Sequence, residues 1–230
     1  FALWLDDGVG AILDKLESMG IAEKTLVIFV PDHGSYRHGK ATLHDFGMRV
    51  PMALQWKGTI EAGSSYDGLV ANIDLAPTLM ELAGAEKPAG YQMDGVSFVP
   101  VIYGSSEPIR NFLFGELGHS RAVKSKDWKY IAVRYPEEVQ RKIDEGKSFK
   151  GFQGEVLELP YLTRNGHLGH HAARHNPNYF EADQLYDLQR DPEETENVIA
   201  RNPEVADRLK KDLAEALKQF QNRPFGEFTE

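Results

Sequence analysis

The chain has 230 residues, 41% hydrophobic and 27% charged, a globular composition with room for one large domain or two modest ones. Its net charge of -9 argues against nucleic acid as a partner, because a phosphate backbone calls for a basic face, although a local basic pocket can still take an anionic substrate. No run approaches the roughly 18 apolar residues of a membrane span, and the absence of cysteine removes disulfides, thiolate metal sites and a cysteine nucleophile.

Leu5, Val9, Ile12, Leu13, Leu16 and Met19 recur at helical spacing, and Gly20 supplies a left-handed stop. Residues 25–30, Thr-Leu-Val-Ile-Phe-Val, are β-branched and aromatic, the pattern of a strand buried on both faces. Helix, glycine turn and strand make one αβ unit of a layered α/β domain. A second strand is expected at 50–55, and a short helix at 74–84 with proline early and glycine at its end.

Turn-forming residues near Tyr103-Gly104-Ser105-Ser106 place a domain boundary at 105/106, giving a catalytic-domain part over 1–105 and a small subdomain over 106–230. In the second part, residues 112–116, 121–124, 128–133 and 184–188 are strand candidates, with a hairpin turn at 125–127. Asn202-Pro203 opens a helix with stripe Val205, Leu209, Leu213, Leu217 and Phe220. This makes an antiparallel sheet with a packed helix, an α+β subdomain. Residues 135–183 fit no regular pattern and read as a long insertion of the kind that is often functional.

Asp32-His33-Gly34 follows the first strand directly, and ligands of open α/β sheets bind at the carboxyl ends of strands. A carboxylate beside an imidazole offers two metal donors of different hardness, yet the same pair is equally a common turn dipeptide. From His33 to His44 there is no acidic residue, while Arg37, His38, Lys40 and His44 add cationic or titratable groups. A divalent ion with cationic side chains suits a tetrahedral anion; a solvated basic loop has the same composition. His167, His170, His171 and His175 could share a metal by their spacing, but with Gly166 and Gly169 among them a surface or sugar-contacting loop is the stronger reading. His119, in Gly118-His119-Ser120-Arg121, is a further pocket candidate.

These segments resemble, in order, the sulfatase family of the alkaline phosphatase superfamily. The matching pieces are 5–13 with the pre-strand helix, 25–34 with the metal strand, Lys40-Ala41-Thr42-Leu43-His44-Asp45, Met48-Arg49-Val50-Pro51, 74–84, Asp94-Gly95-Val96-Ser97-Phe98, and Leu185-Tyr186-Asp187-Leu188 with Asp191-Pro192-Glu193-Glu194 and Asn197. Pro31 stands where the family has Ser, His44 where it has Tyr and Asp45 where it has Glu.

The resemblance implies that Asp32 and His33 ligate a divalent ion, Ca²⁺ in typical members, with imidazole leaving Mn²⁺ or Zn²⁺ open. It implies Lys40 as the catalytic lysine at the sulfate, and it leaves Arg37, His38, His44 and His119 as candidate substrate contacts. The family's nucleophile is a formylglycine whose motif is absent from this chain, so the expectation is a carboxy-terminal portion, inactive alone, that works with an amino-terminal half. The implied substrate is a sulfated carbohydrate or other sulfate ester, and the implied setting is periplasmic, secreted or lysosomal. A phosphonate or phosphate ester hydrolase of the same superfamily and a non-catalytic glycan-binding product are the alternatives.

Overall fold

The structure is a computed structural model and describes residues 2–34, 42–87, 89–145 and 176–218. It comprises two compact units, the first of residues 1–31 and 51–110 and the second of 32–50 and 111–230.

In the first unit, α1 (Ala2–Ser18) realises the predicted amphipathic helix, beginning earlier than its apolar period suggests. Gly20 follows at φ 66°, the left-handed backbone that glycine adopts without a Cβ penalty. β1 (Val27–Phe29) pairs antiparallel with β2 (Ala53–Gln55), Ile28 opposite Leu54. The strand is shorter than residues 25–30 and is not buried on both faces: Phe29 is 40% exposed. The reason is local, since β2 is the only strand paired with it among the described residues.

α3 (Leu75–Leu82) is entered through a 3₁₀ turn at Asn72–Asp74 and left at Gly84, φ 61°. Asp74 is fully buried and organises this corner: its carboxylate accepts the amides of Ala71 and Val96, each at 2.8 Å, and pairs with Arg110. Thr78 donates to the Asp74 carbonyl and accepts the Phe98 amide. The chain then enters α4 (Val99–Ile102).

In the second unit, α2 (Asp45–Met48) precedes a four-stranded antiparallel meander of β3 (Leu113–Leu117), β4 (Ser120–Lys124), β5 (Trp128–Val133) and β6 (Asp183–Asp187). The period of two sorts its side chains to opposite faces. Val123, Tyr130, Ala132 and Leu185 form one core with Leu209, Leu213 and Leu217 of α6 (Pro203–Leu217), the helix predicted from its stripe. Ala122, Ile131, Val133 and Tyr186 form the other core, closed by Leu43. The sheet is therefore buried on both faces, by a helix on one and by the segment around Leu43 on the other.

Pro203 opens α6 as expected, but Asn202 does not cap it: its side-chain amide donates to the Val198 carbonyl instead. Phe220 lies outside the described residues. Within the span read as irregular, α5 (Glu137–Asp144) is helical. No helix among the described residues is long and apolar enough to cross a membrane.

Candidate functional site

The chain leaves β1 at Phe29, and Asp32 opens the first segment of the second unit. Gly34 fixes this segment on α2. Its amide donates to the Gly47 carbonyl at 2.9 Å, and a Cβ at this position would stand 2.2 Å from the Phe46 carbonyl oxygen. Only glycine fits this approach without moving backbone, which explains the third residue of the Asp-His-Gly run.

His33 Nδ1 lies 2.8 Å from the Gly34 carbonyl oxygen. A carbonyl only accepts, so Nδ1 carries the proton and Nε2 is the lone-pair nitrogen. That nitrogen faces Asp32 Oδ2 at 3.6 Å. Two donors each about 2.0–2.6 Å from one ion stand about this far apart, and a metal-ligating histidine ordinarily donates its other N–H to a carbonyl. The Asp32 side chain is 87% exposed and that of His33 33% exposed, so the pair is open to an incoming ion. The donor set fits a divalent cation as two ligands of a larger shell. Among the described residues no third carboxylate or imidazole completes it.

Arg37, His38 and Lys40 lie outside the described residues, as do His167, His170, His171 and His175. Description resumes at Thr42, Leu43 and His44, all buried. His44, 2% exposed, packs edge-on against Tyr186 with ring centroids 5.5 Å apart. Its tautomer follows from a relay. Gln184 donates its amide nitrogen to the Glu181 carbonyl, which leaves Oε1 to accept the Tyr186 hydroxyl at 2.8 Å. The Tyr186 oxygen then accepts from His44 Nε2 at 3.3 Å, and Nδ1 is left as a buried lone pair without a hydrogen-bond partner. Burial, and then the charge of Lys129, lowers the His44 pKa to about 3, so the imidazole is neutral at ordinary pH. A cavity about the size of one water molecule lies beside it, lined by Thr42, Ser120, Gln184 and Tyr179 among others.

His119, at the β3–β4 turn, is also 2% exposed and lies against the Tyr135 ring at 5.6 Å. Burial, and then the neighbouring Arg121 charge, lowers its pKa.

Asp45, which follows His44 in the chain, anchors a buried ionic cluster that sequence reading missed. Its carboxylate pairs with Lys124 and, at 2.5 Å, with Lys129. The Asp45 amide donates to Glu194 Oε2. Lys129 is 1% exposed; its ammonium donates to Asp45 Oδ1 and, at 3.1 Å, to the Leu43 carbonyl, and it forms an ion pair with Glu194 Oε1 at 2.6 Å. Two cations thus meet two anions with no net charge.

Burial acts to raise the Asp45 pKa, but Lys129 and Lys124 outweigh it and hold the carboxyl below its usual value. Burial pushes the Glu194 carboxyl up, with Lys129 offsetting only part. Glu194 also sits at φ 57°, a left-handed backbone that L-residues other than Gly, Asn and Asp rarely adopt. The sequence signals were present but mute: Glu194 ends the Asp-Pro-Glu-Glu run, and Lys129 is the one charge inside an apolar strand.

Comparison with known proteins follows the same lines. Residues 1–85 match the sulfatase family model. An ulvan-active sulfatase of Formosa agariphila is 32% identical over 217 residues, covering 89% of this chain and 39% of that protein. Human arylsulfatase A is 30% identical over 227 residues, covering 90% of this chain and 40% of that protein. The chain therefore spans about two fifths of the length of the curated relatives it matches.

Among solved structures, one in complex with its substrate D-glucosamine-2-N,6-O-disulfate superposes with a TM-score of 0.68 at 21% identity, over 97% of this chain and 40% of that one. A sulfatase from Pseudoalteromonas sp. gives 0.64 at 22% identity, over 96% of this chain and 43% of that one. These two share the fold: a mixed α/β architecture with antiparallel sheets and a helix packed on the second. The chain belongs to the sulfatase family of the alkaline phosphatase superfamily.

Proposed function

We propose that the protein carrying this chain is a sulfuric ester hydrolase acting on sulfated carbohydrate, and that this chain holds the metal-binding and sulfate-binding edge of its site. The observation that carries the reading is the Asp32–His33 pair. One carboxylate oxygen and one lone-pair imidazole nitrogen stand 3.6 Å apart, with the imidazole fixed through its other nitrogen. A divalent ion held there, Ca²⁺ by family resemblance or Mn²⁺ or Zn²⁺ by the imidazole, would polarise a bound sulfate.

Lys40 is assigned to the sulfate oxygens as a cation that meets charge developing on them. Arg37 and His38 are assigned to the substrate around it. His44 and His119 are neutral and buried, and in this reading they shape the pocket floor. The nucleophile, a formylglycine by family resemblance, comes from outside this chain, as does the rest of the ion's shell. Relatives that act on ulvan or were solved with a disulfated glucosamine favour the carbohydrate.

The test is hydrolysis by the full-length protein of a sulfated monosaccharide beside the matching phosphate ester. Sulfate release is expected, abolished by a chelator and reduced at least about a hundredfold in Asp32→Asn. Residues 1–230 alone are expected to show no turnover. Preferential phosphate release would move the assignment to the phosphate ester hydrolases of the superfamily, the reading that the His33 imidazole favours.

A further inference from the structure

We propose that the buried cluster of Asp45, Lys124, Lys129 and Glu194 is an anchor that positions the Asp32–His33 pair, acting through α2; this deepens the sulfatase reading and rests on its divalent-ion site. Gly34 is the link. Its amide donates to the Gly47 carbonyl of α2 at 2.9 Å, and a Cβ on it would meet the Phe46 carbonyl. Its own carbonyl accepts His33 Nδ1 at 2.8 Å and so sets the imidazole. One residue therefore carries both the contact to α2 and the contact that aims the lone pair of Nε2. A shift of α2 moves Gly34, and the His33 ring turns with it.

α2 is a single turn, too short to hold its place by its own backbone bonds. The cluster holds it from outside. The Asp45 carboxylate pairs with Lys124 of β4 and Lys129 of β5, and the Asp45 amide donates to Glu194. Lys129 also donates to the Leu43 carbonyl, two residues ahead of the helix. Glu194 reaches its partners from a left-handed backbone, a conformation kept only where the surroundings over-determine it. The charged groups of Lys129 and Glu194 are turned to one another, to Asp45 and to the Leu43 carbonyl, and both residues are buried. They are positioning residues for the pair and not ligands of the ion.

Charge separates this role from plain electrostatics. Lys124→Met removes a positive charge from the second unit, which by Coulomb attraction alone would tighten the binding of a cation. Loosening the anchor weakens it instead. The double variant Lys129→Met/Glu194→Met removes one charge of each sign, so the net charge is unchanged. A buried ion pair exchanged for apolar side chains of similar volume keeps much of the stability that a single removal would lose.

The test is Mn²⁺ titration of the metal-stripped full-length protein by calorimetry, with amide exchange of Gly34 followed in the same metal-free samples. The double variant is expected to weaken Mn²⁺ binding at least about tenfold and to accelerate Gly34 exchange, while α6 keeps its protection. Lys124→Met, at a side chain 20% exposed, is expected to move both readouts in the same direction, and it decides the matter should the double variant not fold. Leu209→Ala, in the core on the sheet's other face, should lower the thermal midpoint and leave both readouts unchanged per folded molecule. Tighter Mn²⁺ binding in Lys124→Met, wild-type protection of Gly34 in either variant, or equal changes in Leu209→Ala would overturn the anchor. If the wild type binds no Mn²⁺, or Asp32→Asn binds it equally well, the divalent-ion reading fails by itself. Gly34 exchange then decides the anchor alone: acceleration in the variants supports it and unchanged protection refutes it.

Discussion

The neutral imidazole of His44 makes stability depend on acid in a way that can be read residue by residue. Its pKa is about 3 in the folded chain against 6.5 for an unburied histidine. The unfolded chain therefore takes up a proton first as pH falls. The stabilisation is whole above pH 6.5 and is lost progressively toward pH 3, on the order of 5 kcal/mol in full. In His44→Gln the amide can still donate to Tyr186 and does not titrate. The stability advantage of the wild type over this variant, from urea midpoints, should shrink by about 1.4 kcal/mol per pH unit between pH 6 and pH 4.

Asp45 acts in the same direction lower down. Its carboxyl is held below the usual 3.8, so its contribution is present above that value and fades beneath it. Asp74 belongs to the same scale. Asp74→Ala strands the Arg110 guanidinium in a buried corner and should cost about 3–5 kcal/mol by urea denaturation.

Among the elements, α2 is small but meets both flanks of the basic segment. Gly34→Ala would drive a methyl group into the Phe46 carbonyl, so either the Asp32–His33 turn or α2 must shift. Weakening of divalent-ion affinity by about tenfold or more in the full-length protein, followed by metal titration, is the expected result.

Elements with a clean period were legible in the sequence. β4, β5 and the turn between them, and the stripe of α6, declare themselves by alternation and by 3.6-residue spacing. β1 reads longer and more buried than it is, because an apolar run states what a strand can bury and not what stands beside it. The Asp32–His33 pair is legible because its residues are adjacent. The Asp45–Lys129–Glu194 cluster is not: its members meet across 84 and 149 positions, and no local pattern records that.

For the molecule as a whole, the exposed apolar surface of α1 is the feature most at odds with an isolated chain. Leu3, Trp4 and Ile12 are 81%, 78% and 60% exposed, and no residue of this helix is buried. Apolar patches of this kind mark surfaces that another body covers. In the sulfatase reading that body is the remainder of the α/β domain. Residues 1–230 alone should bind a hydrophobic dye and self-associate in sedimentation, and Trp4→Gln/Ile12→Gln should diminish both.

The ionic anchor also has a consequence in time. A chain is made from its amino terminus, and contacts between residues far apart in sequence form late. The Asp45 amide waits for a carboxylate 149 positions downstream. A nascent polypeptide halted anywhere short of Glu194 can already carry every basic residue of the segment. It still lacks the Glu194 carboxylate that accepts the Asp45 amide, so the buried cluster is complete only once residue 194 has been made.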